Sequence, residues 1–175
     1  MKSVINGLDI LVLLKTAAHP ETNIPSKKLA QELFVQPSEI TRSWKRTRSA
    51  GLSYSLNHEQ RVNRAGLLEL LTHGLRYVFP AERGTLTRGV PTGIATEPLK
   101  SQFMDVMGEA PVWPYAQGEM RGYSIKPLHR QVPKAALEDP KLYELLALVD
   151  AVRGDRIRER ALASEELTKR LAANG

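Results

Sequence analysis

Residues 24–52 read IPSKKLAQELFVQPSEITRSWKRTRSAGL, and the spacing of their apolar positions predicts two short helices joined by a tight turn. Pro25-Ser26 opens the first, with Ser26 as N-cap offering its hydroxyl to an unpaired backbone N–H. Ala30 and Leu33 fall on its inner face, and residues 34–36 make the turn. Pro37-Ser38 opens the second helix, where the fixed φ of proline suits the first turn. Ile40, Trp44 and Thr47 recur at i, i+4 and i+7, the repeat of one helix face, and Gly51 stops the run. Two helices this close need a small residue where they cross, and Ala30 is one. Leu29, Leu33, Val35, Ile40 and Trp44 close a small core around it. The positions between them, Ser38, Glu39, Thr41, Arg42, Lys45 and Arg46, then point outward.

That outward face has a definite chemistry. Short hydroxyls at a helix N-terminus suit phosphate, because the free N–H groups there already favour an anion. Arg42 is long enough for bidentate contact with a guanine edge, whereas Lys45, Arg46 and Arg48 are better placed for the sugar–phosphate backbone. Glu39 would repel phosphate but can accept from a cytosine amine. The expected partner is double-stranded DNA.

The flanks extend the pattern. Residues 8–18 form a first helix with apolar cover on more than one side, ended by His19-Pro20. Residues 52–62 alternate and turn at Asn57-His58, a small hairpin. Asn63 caps a leucine-rich helix over 64–78.

The segment LAQELFVQPSEITRSWKRTRSAGL resembles the reading head of bacterial winged helix-turn-helix transcriptional regulators, of the MarR-like and related groups. The resemblance rests on Leu29-Ala30, the turn at Val35, Ser38 to Ile40, Arg42 with Lys45 and Arg46, and Ala50-Gly51-Leu52. It implies that Ser38, Thr41, Arg42 and Arg46 approach DNA. It also implies that the wing tip, residues 57–61 with His58 and Arg61, touches an adjacent groove or phosphate. Ser26, Gln36, Glu39, Lys45 and Arg48 complete the candidate DNA-binding set. Two positions depart from the pattern. Phe34 stands where relatives place glycine, a position that often needs positive φ, so either the turn is shaped differently or Phe34 is strained. Thr47 stands where an aliphatic residue is usual.

The bulk properties agree with a polyanionic partner. The chain has 175 residues, 42% of them hydrophobic, and a formal net charge of +6, with an isoelectric point near 9.7. Residues 37–50 and 121–134 are basic. The absence of cysteine excludes disulfides, thiolate metal sites and a cysteine nucleophile. The four histidines have no metal-ligand spacing, and no nucleophile elbow or carboxylate pair marks an enzyme. Neither a metal nor a cofactor is expected, and the short apolar run near the N-terminus gives no leader or membrane span, so a cytoplasmic protein is expected.

Beyond residue 79 the pattern weakens. Residues 80–98, rich in glycine and proline, read as a long loop. Within it Arg83 and Arg88 are candidates for following the DNA backbone or holding an anion; the bland alternative is a loop that wraps the winged domain. Residues 99–107 read as a short helix, 112–125 as a hairpin around Gln117-Gly118, and 133–137 as one helical turn. Asp139-Pro140 is a strong helix start, and the leucines of 142–149 suit a dimer. Residues 155–173 continue as a charged helix with Ile157, Ala161, Leu167 and Leu171 as a thin stripe. The expected fold class is mainly α with small β-hairpins. It comprises a winged helix-turn-helix DNA-binding domain over 1–79, a Gly/Pro-rich loop and hairpin region over 80–132, and a helical dimerisation or partner region over 133–175. The expected function is sequence-specific DNA binding by a transcriptional regulator, a dimeric repressor. It would autoregulate an operon of toxin–antitoxin or phage-defence type that also encodes a protein partner. The alternative is a winged module that binds or neutralises a partner protein.

Overall fold

A computed structural model describes residues 4–103 and 110–172. The chain is mainly helical, with a two-stranded hairpin and a separate group of three short strands. Helix α1, Gly7–Ala18, is apolar all round and almost wholly buried, the expected fate of a helix without a polar face. Asn6 caps it: its side chain accepts from the Asp9 N–H, and its own N–H donates to Asp9 Oδ2 at 2.9 Å. Helices α2, Ser26–Glu32, and α3, Pro37–Ser49, follow, then strands β1, Ser53–Leu56, and β2, Glu59–Val62, paired antiparallel. Asn63 caps the next helix through the Gly66 N–H at 3.1 Å. That helix runs as α4, Arg64–Glu69, a π-helical turn at Leu70–Gly74, and α5, Leu75–Val78.

Residues 80–98 are not a loop. Arg83–Pro91 is a nine-residue strand, β3, which pairs antiparallel with both β4, Pro111–Pro114, and β5, Met120–Ile125. The expected hairpin over 112–125 is also absent. β4 and β5 run parallel to each other, so the three strands close into a very small barrel. The glycines that made this stretch look like a loop are what allow the closure. A Cβ on Gly89 would lie 2.0 Å from the Trp113 carbonyl oxygen, and one on Gly118 would lie 2.2 Å from the Gly89 carbonyl oxygen. Of the short helix expected over 99–107, a 3-10 turn at Lys100–Gln102 is present, and 104–109 lie outside the described residues.

Helices α6, Val132–Glu138, α7, Pro140–Arg153, and α8, Ile157–Ala172, complete the chain. Asp139 caps α7 as expected, accepting from the Leu142 N–H at 3.1 Å. The leucine stripe of α7 is not available to a second copy. Leu142, Leu145, Leu146, Leu148 and Val149 are buried within the chain, where α7 packs against α1, α5, α6 and α8. On α8 the inward stripe is Ala163, Leu167 and Leu171, while Ala161 and Ile157 are exposed.

Charges inside this apolar cluster are all joined to partners. Lys15 Nζ lies 2.6 Å from Asp139 Oδ2 and 2.8 Å from Glu32 Oε2, and His19 Nε2 lies 2.7 Å from the same Asp139 oxygen. This network ties α1, α2 and the start of α7 together. A second group surrounds Asp150, which accepts from Thr92 Oγ1 at 2.7 Å, Trp113 Nε1 at 2.5 Å and Arg153 Nη1 at 2.5 Å. It fastens the barrel to α7. Burial pushes the Asp150 carboxyl up, with Arg153 and the two donors opposing it.

Two expected outcomes follow from this packing. Gly118→Ala should cost about 3 kcal/mol or abolish folding, since the new methyl would meet rigid backbone; a urea melt close to wild type would contradict the tight barrel. The Asp139 network sets a pH dependence. Burial raises the Asp139 pKa, but hydrogen bonds from Lys15, His19 and the Leu142 N–H outweigh it, so the net shift is downward. Its contribution is therefore full above its ordinary value of 3.8 and lost as pH falls through the folded value. Burial lowers the Lys15 pKa, but Asp139 and Glu32 outweigh it and the net shift is upward, so its contribution fades only above 10.5. Asp139→Asn should lower the neutral-pH plateau and flatten the acid limb of stability, measured by denaturant melts across pH.

Candidate nucleic-acid interface

The unit built by α1, α2, α3 and the β1–β2 hairpin presents one face of α3 to solvent. Ala30 is buried between α2 and α3, and the Val35 N–H returns to the Ala30 carbonyl at 3.0 Å, closing the turn. Phe34 sits in that turn with φ of 56°. The left-handed conformation expected for glycine is therefore adopted by phenylalanine, at a cost of about 1–2 kcal/mol. Lys134 compensates, its Nζ lying 3.9 Å from the Phe34 ring centroid. Ile40, Ser43, Trp44 and Thr47 face inward. Thr47 is buried because its hydroxyl is used: Oγ1 bonds to the Trp44 carbonyl and lies 2.8 Å from Ser53 Oγ. A hydroxyl thus links α3 to the hairpin where an aliphatic residue is usual.

Ser38, Thr41, Arg42, Lys45 and Arg48 are exposed on the opposite face. Thr41 Oγ1 donates back to the Pro37 carbonyl at 3.2 Å, and Arg42 reaches Ser38 Oγ at 3.5 Å. Arg48 Nη2 donates to Gln60 Oε1 of β2 at 3.4 Å, which joins the cationic face to the hairpin. Among the described residues, Arg42, Lys45 and Arg48 have no carboxylate partner. Asn57 and His58 turn the hairpin with φ of 51° and 66°, the paired positive values of a tight hairpin turn, and His58 is exposed at its tip.

Four members of the expected set are placed differently. Arg46 does not point outward. Its Nε and Nη2 grip both oxygens of Asp9 at 2.8 Å and 2.7 Å; its side chain is 19% exposed and that of Asp9 0%. The Asp9 pair holds the Arg46 pKa above its ordinary value, against the opposing effect of burial. Glu39 is a cap, its Oε2 accepting the Gln36 N–H at 2.9 Å, so Gln36 and Glu39 together start α3. Ser26 is the first residue of α2, with Pro25 at the cap position and no capping bond from a side chain. It stands at the end of α2 remote from the turn. Arg61 is paired with Glu59 two residues back along β2.

Arg83 and Arg88 belong to the barrel. The Arg83 guanidinium lies over the Tyr123 ring at 4.3 Å, and Arg88 Nη1 donates to the Gly118 carbonyl at 3.3 Å. A cleft of about 450 Å³ beside Arg83 is lined by cations and carboxylates together, including Arg76, Arg156, Asp155 and Glu159. Burial pushes the Glu159 carboxyl up, with Arg156 opposing.

One neighbour of α3 was not foreseen. His129 lies within electrostatic reach of Glu39; its imidazole is pushed below its ordinary value by burial, with Arg130 adding to the effect and Glu39 opposing it. The available signal was the basic composition of 121–134, which says nothing about position. Among the described residues no group of three histidines or carboxylates is placed to hold a metal. No helix there is long and apolar enough to cross a membrane. No family model, curated protein or solved structure matches the chain.

The Asp9–Arg46 geometry makes a stability prediction. Arg46→Ala would leave a buried carboxylate unpaired and should destabilise the fold by about 3 kcal/mol, whereas Lys45→Ala should leave the melting temperature near wild type. Equal melting temperatures for the two variants would contradict the assignment of Arg46 to the core.

Proposed function

We propose that the chain is a DNA-binding transcriptional regulator of winged helix-turn-helix type, with α3 as the reading helix and the β1–β2 hairpin as the wing. The observation that carries this is the exposed, carboxylate-free row Arg42, Lys45 and Arg48, set on one helix face with Ser38 and Thr41 and joined to the hairpin by the Arg48–Gln60 contact. A helix of this kind entering the major groove would bring Ser38 and Thr41 to phosphate near its N-terminus and Arg42 to a base edge. His58, at the hairpin tip, is the wing residue left free to reach DNA. Regulation as a dimeric repressor, autoregulating its own operon, remains the reading for the whole chain. A second copy would have to use a surface other than the buried leucines of α7.

A second reading, a winged module that binds a partner protein, is favoured by one observation. Tyr77, Val78 and Ile157 are exposed large apolar residues. They adjoin Arg76 and Arg156, which line the same charged cleft.

The test is a mobility-shift titration with DNA from upstream of the chain's own reading frame, repeated across salt concentrations. Affinity should fall steeply as salt rises, and Arg42→Ala should weaken specific binding by about 1–3 kcal/mol. Stoichiometric co-purification with a protein, together with no salt-sensitive DNA binding, would replace the first reading with the second.

A further inference from the structure

The α3–hairpin unit does not account for the basic segment 126–134. Three contacts fix it, two through its backbone and one through a side chain. The Lys126 carbonyl accepts from Arg153 Nη2 at 3.2 Å, and Arg153 is itself anchored by buried Asp150. Leu128 rests on the N-terminus of α1, so closely that a Cβ on Gly7 would fall 1.6 Å from the Leu128 carbonyl oxygen. Lys134 covers the ring of Phe34 in the turn before α3. Between these points His129 comes within electrostatic reach of Glu39. The segment thus runs from the start of α1 to the start of α3.

Its position relative to α3 is definite. Glu39 and Arg46 are seven residues apart and share one flank of the helix, the flank facing His129 and Asp9. Arg48 leaves from another side, toward Gln60 of the hairpin. The hairpin therefore stands on one side of the cationic face of α3, and the end of 126–134 that carries Lys134 adjoins the turn at the start of the helix. Lys126, Arg130 and Lys134 are exposed along this segment, and among the described residues none is paired with a carboxylate.

We propose that 126–134 is a second phosphate-binding wall, in which Lys126, Arg130 and Lys134 contact the DNA backbone on the side of α3 away from the hairpin. The proposal rests on the DNA-binding reading above. A helix in the major groove lies between two phosphate backbones about 12 Å apart, and the hairpin can cover only one of them. Backbone contacts of this kind fix register and orientation without reading sequence. A segment already pinned at three points loses little conformational freedom on binding. The kind of partner is the sugar–phosphate backbone itself, so the contribution is independent of the operator sequence.

The experiment measures anisotropy of a labelled random-sequence duplex of three helical turns against the full chain, over a range of salt concentrations. The variant is Lys126→Ala with Arg130→Ala, which leaves the Lys134–Phe34 contact intact. The salt dependence should flatten by about 2 in log–log slope, and affinity near 0.1 M salt should fall roughly tenfold or more. The melting temperature should not change, because both side chains are exposed. The charge-preserving pair Lys126→Arg with Arg130→Lys should restore the wild-type slope. Wild-type slope and affinity in the alanine pair, under conditions where Arg42→Ala weakens binding to the upstream fragment, would overturn the second wall and leave the reading helix standing. No salt-sensitive binding by the unsubstituted chain to either DNA would overturn both.

Discussion

Asp9 has no exposed surface, and a carboxylate there is tolerable only if it is fully paired. Its two oxygens take the forked donors of Arg46, and one of them also takes the Asn6 N–H that starts α1. A single carboxylate therefore both begins the most buried helix and sets the rotation of α3 against it. With Arg46 drawn to that flank, Ile40, Ser43, Trp44 and Thr47 turn into the core, and Arg42, Lys45 and Arg48 are what remains outside. The planar guanidinium fits this role because its fixed fork presents two N–H donors to the two carboxylate oxygens at once.

The position of α1 depends in turn on α7. α7 is apolar on nearly every side and packs against α1, α5, α6 and α8. Its two ends are specified by charge: Asp139 with Lys15 and His19 at the start, Asp150 with Arg153 near the close. Lys15 and His19 reach Asp139 from α1 and its C-terminus, and Thr92 and Trp113 reach Asp150 from the barrel, so each group joins the C-terminal half to something before it. Arg64 adds a third tie, donating to the carbonyls of Ala17, Arg170 and Leu171. Apolar packing supplies the bulk of the cohesion here, while these directional pairs fix which faces meet.

Local signals carried the elements whose chemistry is local. The periodicity of α1 and α3, the turn residues Asn57-His58, the Asn63 cap and the Asp139-Pro140 start are each set by neighbours in sequence, and each stands where those residues put it. Elements specified by distant partners were not legible. β3 is a strand because β4 and β5 pair with it, and Gly89, a residue type that locally favours loop, stands where Trp113 and Gly118 approach too closely for a side chain. Arg46 had the same appearance as Arg42 and Lys45; only the fold brings Asp9 to it. The same holds for α7, whose leucines look identical whether a neighbouring helix or a second copy covers them.

Phe34 shows a contact between the α1–α3 and hairpin unit and the rest of the chain. A glycine in this turn would reach φ of 56° at almost no steric cost. Phenylalanine adopts it at a penalty, so the conformation has to be supported by tertiary contacts. Such a contact is made by Lys134, which lies over the ring, while Phe34 also lines a cleft of about 520 Å³ with Lys15, His19, Glu138 and Asp139. The turn before the N-terminus of α3 is therefore in contact with α6 through Lys134. On the proposed function, the helix that would enter DNA follows a turn contacted by the half of the chain that carries no recognisable motif. In this chain the departure from glycine therefore coincides with a contact between the two halves, Lys134 of α6 over the Phe34 ring.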